Sequence, residues 1–544
     1  MKSLFPLLIA IIGITNLTAQ NHYAFHADAP QGFSIERSTP EGLSLHYGIH
    51  EIGIADVDNG EAQGHEIVLN GCFAPNAEGR PNLPFANRYI AVPQGAQVSV
   101  EVKEKASKTL GDITLLPAAP LQMNGDDRRP PLRWDMDIFG KDADFPSENV
   151  VVAQTTQIRN LDVVLLSVTP FRYNPVRKTL EVIYDIDIEV RFEGGNGQFG
   201  DPRYRNPAWD NLLRDLVVNG DMLPEAHYYD FLNEALHNRE EGCEYLIIAP
   251  DDPAILAWAD TLKQFRLRQG IPTKIVTTTE CGSNDTEDVR NYILNAYYSW
   301  AIPPAAVLLF GENHKGAPEF GIKPFNFISP PSYGHAYTYP SDNPFADMNG
   351  DSIPDLAVSR IVAKYPSEYQ QQVEKLIQYE LNPPTDPHYY DHPVITSGYE
   401  EDKWFLITSQ IINSYFCDKL ERHPTNNYMV FDQGNPFSDP PDSLWSTGEN
   451  TQAVLDYFGP NGLQYIPSSV GNLDHWGSMT DPQALIDAMS EGGFLTLYRD
   501  HSSEDSWACP MFDAQDIAQI HADWPTFIFS IGCLTNNYWD NWTT

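Results

Sequence analysis

Near residue 240 the hydrophobic repeat of this 544-residue chain changes period, from two residues to an alternation of short apolar runs with helical stretches. A period of two belongs to strands with one buried face. Short apolar runs separated by amphipathic helices belong to a parallel sheet covered on both sides. The chain is long enough to bury two or three cores, so the change of period marks a domain boundary.

The first pattern is clearest where Leu180, Val182, Tyr184, Ile186, Ile188, Val190 and Phe192 alternate with their neighbours. Val98, Val100 and Val102 repeat it over a shorter span. Segments rich in Gly and Pro, such as 125–135 and 194–207, separate such strands. Residues 21 to about 225 therefore read as a β-sandwich.

The second pattern comprises seven apolar runs, at 244–250, 273–279, 305–312, 355–361, 393–399, 492–500 and 526–533. Helical stretches fit between them. Residues 253–270 run into Gly270 as a stop, 286–300 open on Thr286 as an N-cap, and 367–381 repeat the pattern. Residues 225–242 are charged and read equally as a linker or as one exposed helix.

Residues 1–19 carry Lys2, an apolar run from Leu4 to Ile14 and a small-residue ending at Ala19, which reads as a signal peptide. That run is about half the ~20 residues a membrane-spanning helix needs, and no later stretch reaches that length. The expectation is export to the cell surface or beyond, without a membrane span. With 74 Asp and Glu against 34 Lys and Arg, the formal net charge of -40 excludes nucleic acid as a natural partner. Cys72, Cys243, Cys281, Cys417, Cys509 and Cys533 are too scattered for a disulfide scaffold, although one or two bridges are compatible with their number.

Two residues stand where parallel strands present their functional ends. Cys533 follows the run Phe527 to Gly532, and His501 follows the run Phe494 to Tyr498. A thiol needs an imidazole to accept its proton, and that imidazole can later protonate a leaving amine. A structural cysteine and a strand-capping histidine would satisfy the same pattern separately. A zinc site on Asp500, His501, Glu504 and Cys509 is a third reading of this turn.

Segments 492–512 and 526–541 resemble the gingipain family of cysteine peptidases, in which a strand leads to a His-containing turn and a later strand ends in the catalytic Cys. Segment 355–361 with its following helix, and residues 162–194, resemble further parts of that family. The resemblance implies a β-sandwich-like prodomain followed by a caspase-like α/β/α domain with a mostly parallel sheet. It implies a signal peptide at 1–19, a propeptide over 20–240 that inhibits its own enzyme, and a peptidase domain over 241–544 that is incomplete at its C-terminus. Cys533 would be the nucleophile and His501 its base and acid, with Glu400 the best match for the group orienting His501 and Tyr399 and Glu401 as alternatives in the same segment. The Ser502 and Cys533 amides would form the oxyanion hole. Protein or peptide substrates are implied, with no cofactor required for catalysis, and Arg239 or a nearby bond is the expected cleavage site. Asp500 and Ser502 depart from the glycines that flank the family's catalytic His. With that departure, the alternative is an inactive gingipain-like surface or binding protein, or a truncated fragment.

Asp347, Asn349, Asp351 and Asp355 place oxygen ligands at alternating positions, as a structural calcium loop does, without the Gly and Glu of an EF-hand.

Overall fold

A computed structural model describes residues 18–28, 30–58, 61–69, 72, 77–119, 131–224, 241–312, 321–328, 338–400, 403–429, 445–446, 451–459, 464–466 and 482–535. Most of the leader and the linker carrying Arg239 lie outside them. None of the described helices is long and apolar enough to cross a membrane.

The chain divides into two units, the first running essentially from residue 17 to 369 and the second from 370 to 540. The first opens with antiparallel sheets. Thr179–Gly194 lies between Gly42–Gly48 and Phe171–Asn174 and also pairs with Ala96–Leu110, while Leu161–Val168 lies between Ala86–Ala91 and Val150–Ile158. Most of the alternating residues do what their period requires, but Tyr184 is half-buried while its neighbours Ile183 and Asp185 are buried, where the pairing with Ala96–Leu110 shifts register. Leu180, Val182, Ile186 and Ile188 are fully buried, each stabilising the core by about 1.5–3 kcal/mol. Val102 departs from its neighbours Val98 and Val100 and is exposed.

The same unit continues into a parallel sheet ordered Thr273–Thr277, Tyr245–Ala249, Ala306–Phe310, Ala357–Ile361. Helix Pro253–Arg268 is capped by Asp252 and ends before Gly270, which takes the positive φ (82°) that glycine tolerates. The cap of helix Thr286–Ser299 falls one residue earlier than expected. Asp285 is the N-cap, and Thr286 is the first helical residue, its hydroxyl directed to the Lys323 and Pro324 carbonyls.

A hairpin turn ties these two halves of the first unit together. Arg159 is buried, and its guanidinium donates to the carbonyls of Tyr204, Pro304 and Asp355 at 2.9–3.2 Å. Its amide donates to the Asp355 carboxylate at 2.8 Å, and the Met348 amide donates to the other Asp355 oxygen at 2.9 Å. Trp209 reaches the Ala305 carbonyl at 3.1 Å beside it.

Burial outweighs those amides and raises the Asp355 carboxyl from 3.8 to about 6. Between those values the folded state binds more protons than the unfolded one, so this group's contribution to stability falls as pH rises. The shift corresponds to about 2–3 kcal/mol. Urea unfolding of the chain and of Asp355→Asn at pH 4 and pH 7 should show the parent losing about that much relative to the variant. A pH-independent difference would rule the titration out.

The second unit holds a parallel sheet ordered Thr425–Tyr428, Val394–Ser397, Leu495–Arg499, Phe527–Ile531. All seven expected runs form strands, and Thr425–Tyr428 is an additional one. All six cysteines are free.

Candidate active site

Leu495–Arg499 and Phe527–Ile531 pair in parallel from Leu495↔Phe527 to Arg499↔Ile531, so their carboxyl ends are level. His501 and Cys533 each stand two residues beyond the last pair. Val394–Ser397 flanks the same central strand, pairing Ser397 with Arg499, and Glu400 follows three residues later. Parallel pairing alone thus collects an imidazole, a thiol and a carboxylate at one sheet edge.

His501 Nε2 pairs with Glu400 Oε2, and the Phe405 ring packs edge-on to the imidazole at 5.2 Å. Both charged partners are about half exposed, so the pair adds at most about 1 kcal/mol of stability. Its effect is orientation. With Nε2 engaged by the carboxylate, Nδ1 is the nitrogen left for another partner. Cys533 is exposed.

The turn after His501 is fixed from beneath. The His501 carbonyl accepts from the Tyr498 hydroxyl and from the Ala508 amide. The Tyr498 ring stacks on Trp507 at 4.1 Å, and Trp507 Nε1 donates to Ser530 Oγ at 2.9 Å. The Ser502 hydroxyl donates to the Cys533 carbonyl, joining the two strand tips that carry the expected oxyanion amides.

Glycine at 532 permits that contact. A Cβ there would lie 2.3 Å from Ser502 Oγ and 2.9 Å from the Asp500 carbonyl. Gly532→Ala should therefore destabilise the second unit by about 1–3 kcal/mol, and Ser502→Gly in the same chain should restore part of the loss. Thermal unfolding of the single and double variants measures this; strict additivity would refute the packing argument.

Asp500 is buried, and a Cβ at Gly398 would lie 1.8 Å from its Oδ2. Burial, partly offset by the His501 amide, pushes its carboxyl up. The Cys509 thiol is pushed up to about 12, by burial first and then by Asp500, which keeps it protonated at neutral pH. Arg499 donates to the Ile531 carbonyl at 3.2 Å, and its guanidinium lies 4.6 Å from the Phe405 ring centre. Its pKa is lowered by burial, against which the neighbouring Asp500 carboxylate acts. Arg499, like the contact between Ser502 and Gly532, gave no sign of a role in the sequence.

In the Asp347 loop the oxygens mostly meet backbone amides. Asp347 accepts from Gly350, Asp351 and Ser352, Asn349 accepts from Asp351, and Asp351 accepts from Ile353. Asp355 is turned to the Arg159 and Met348 amides. Among the described residues, the group of three acidic or histidine ligand atoms lying within 4.8 Å of one another is instead Glu36, His46 and Asp187.

A family model described as Peptidase family C25 matches residues 238–544, and one described as Propeptide_C25 matches residues 21–199. Gingipain R2 of Porphyromonas gingivalis is 20% identical over 551 residues, covering 99% of this chain and 65% of that protein. Lys-gingipain HG66 of the same species is 21% identical over 417 residues, covering 73% of this chain and 22% of that one. Of solved structures, the Arg specific cysteine proteinase gingipain R matches 55% of this chain and 56% of its own, at 16% identity and a TM-score of 0.35. The complex of Porphyromonas gingivalis RgpB pro- and mature domains matches 35% and 97%, at 17% identity and a TM-score of 0.31. The chain thus spans just under two thirds of the first of these curated relatives.

Proposed function

Because this chain belongs to peptidase family C25, we propose that it is an exported cysteine endopeptidase precursor using Cys533 and His501. The observation that carries the reading is the level pairing of the two strands that end at His501 and Cys533, with Glu400 on the Nε2 of the imidazole.

In this reading His501 Nδ1 takes the Cys533 proton as Sγ attacks the scissile carbonyl carbon. The negative charge passes to the carbonyl oxygen, facing the Ser502 and Cys533 amides. Collapse breaks the C–N bond, and the imidazolium gives its proton to the leaving amine. Water, deprotonated by His501, then attacks the thioester and releases the acid and the thiol. Glu400 holds the ring and favours its charged form.

Residues 20–240 act as an inhibitory propeptide, a role supported by the match of residues 21–199 to Propeptide_C25 and by the hairpin docked through Arg159. The leader at 1–19 directs export. No cofactor enters the chemistry. The oxygen-only set Asp347, Asn349 and Asp351 suits a structural calcium ion, which Asp355 could join by releasing its two amides.

The test is hydrolysis of a mixed fluorogenic peptide library, under reducing conditions with and without calcium, after removal of residues 20–240. Loss of cleavage in Cys533→Ala supports the assignment, and equal rates in parent and variant overturn it.

A further inference from the structure

The antiparallel sheet of the first unit carries a second cluster of ligating side chains. His46 lies in Gly42–Gly48 directly opposite Asp187 of Thr179–Gly194, and its Nδ1 is 2.8 Å from Asp187 Oδ1. Glu36 comes from the other neighbouring strand, Gly32–Thr39. The ladder there pairs Ile35 with Leu45 and Arg37 with Ser44, so Glu36 is the extra residue of a bulge. A bulge re-aims a side chain, and here Glu36 Oε1 stands 4.0 Å from the same Nδ1. A second irregularity, which skips Tyr184 and Lys105 between Thr179–Gly194 and Ala96–Leu110, brings Asp185 and Lys105 to the cluster.

The imidazole is the informative group. Its side chain is only 2% exposed, and its Nε2 has no hydrogen-bond partner, nor has the facing buried Asp185 Oδ1. The two atoms are 3.1 Å apart without hydrogen-bond geometry. A buried ring nitrogen and carboxylate oxygen left without a hydrogen bond are costly unless something else sets the ring's position, even though the ring's other nitrogen pairs with Asp187 and the other Asp185 oxygen accepts from the Asp28 amide. Four carboxylates, Asp28, Glu36, Asp185 and Asp187, face the single ammonium of Lys105 and the imidazole, a formal excess of three negative charges with His46 neutral.

We propose that this cluster is a divalent metal site, with zinc bound by His46 Nδ1, Asp187 and Glu36. Water would occupy the fourth position. Bonds of about 2.0–2.2 Å in a tetrahedron place ligand atoms roughly 3.3 Å apart. The present separations of 2.8 and 4.0 Å lie on either side of that value. A small rotation of the ring toward the ion would align Nε2–H with Asp185, the outer carboxylate that metal-bound histidines commonly have. Lys105 Nζ, 3.6 Å from Asp185 and 3.8 Å from Asp187, competes with the cation. A bound ion would pin three adjacent strands on the sheet's polar face, so its role is structural.

The experiment uses the full folded chain with its accessible thiols alkylated, because free cysteines bind zinc themselves and Cys243 is buried. Calorimetric titration with ZnCl2 is run on the parent, Asp187→Asn, Glu36→Gln and Lys105→Ala. The site predicts one tight equivalent in the parent, weakened about tenfold or more by Asp187→Asn and by Glu36→Gln, and tightened by Lys105→Ala. Zinc should raise the parent's unfolding temperature more than that of Glu36→Gln. Glu36 is exposed on a bulge, so this variant keeps the test valid if Asp187→Asn fails to fold. No tight equivalent in the parent, or superimposable titrations of the parent and Glu36→Gln, would mean adventitious binding only and would overturn the site.

Discussion

Cys533→Ala should reduce peptide hydrolysis by at least about four orders of magnitude once residues 20–240 have been removed. Losses of that size follow removal of a nucleophile, because the remaining amides and binding contacts accelerate only the uncatalysed attack of water. His501→Ala should come close to the same loss, and the double variant should be no worse than either single one, since a thiol and its base act as one unit. Glu400→Gln should cost less. It keeps a hydrogen-bonding group beside Nε2 but withdraws the charge that favours imidazolium. A stopped assay on the fluorogenic library, with alkylation of Cys533 as an independent titration of the thiol, separates these cases. If parent and Cys533→Ala hydrolyse at the same negligible rate while the parent thiol alkylates normally, the chain is a binding protein built on a peptidase fold.

The sequence revealed what depends on local periodicity. Seven apolar runs became seven strands because a short apolar run is marked by its composition alone, whether both faces are buried, as in Val394–Ser397, or largely exposed, as in the edge strand Phe527–Ile531. Thr425–Tyr428 escaped because Thr425, Asn426 and Asn427 read as a turn, yet the strand is held by parallel pairing to Val394–Ser397. His501 and Cys533 were legible as residues at strand ends. The fit of Ser502 against Gly532 was not, because it exists only after two segments some thirty residues apart pair in register. The cluster around His46 was hidden for a related reason: bulges re-aim Glu36 and Asp185, and alternation along a single strand cannot reveal a bulge. The expected cap at Thr286 was one residue out, because Asp285 and Thr286 are both good caps and the tertiary contact of the Thr286 hydroxyl with the Lys323 and Pro324 carbonyls decided between them.

Arg159→Ala should destabilise the first unit by about 3–5 kcal/mol and should release latency. Arg159 and Asn160 both adopt positive φ, 45° and 60°, at the two-residue turn between Val150–Ile158 and Leu161–Val168. Glycine would take that turn without strain, so an arginine there must be retained for its side chain. Its removal leaves the Tyr204, Pro304 and Asp355 carbonyls without their donor in a buried setting, at about 1–3 kcal/mol each before relaxation. Lysine cannot replace it, because a single ammonium does not reproduce the guanidinium fork that spans these carbonyls. Urea unfolding of the parent, Arg159→Ala and Arg159→Lys measures the loss. The functional consequence follows if residues 20–240 inhibit by staying docked. Uncleaved Arg159→Ala should then hydrolyse peptides faster than the uncleaved parent, while the two chains become indistinguishable after the propeptide is removed. A variant that is destabilised but equally latent would confine Arg159 to folding and place the inhibitory contact elsewhere in the propeptide.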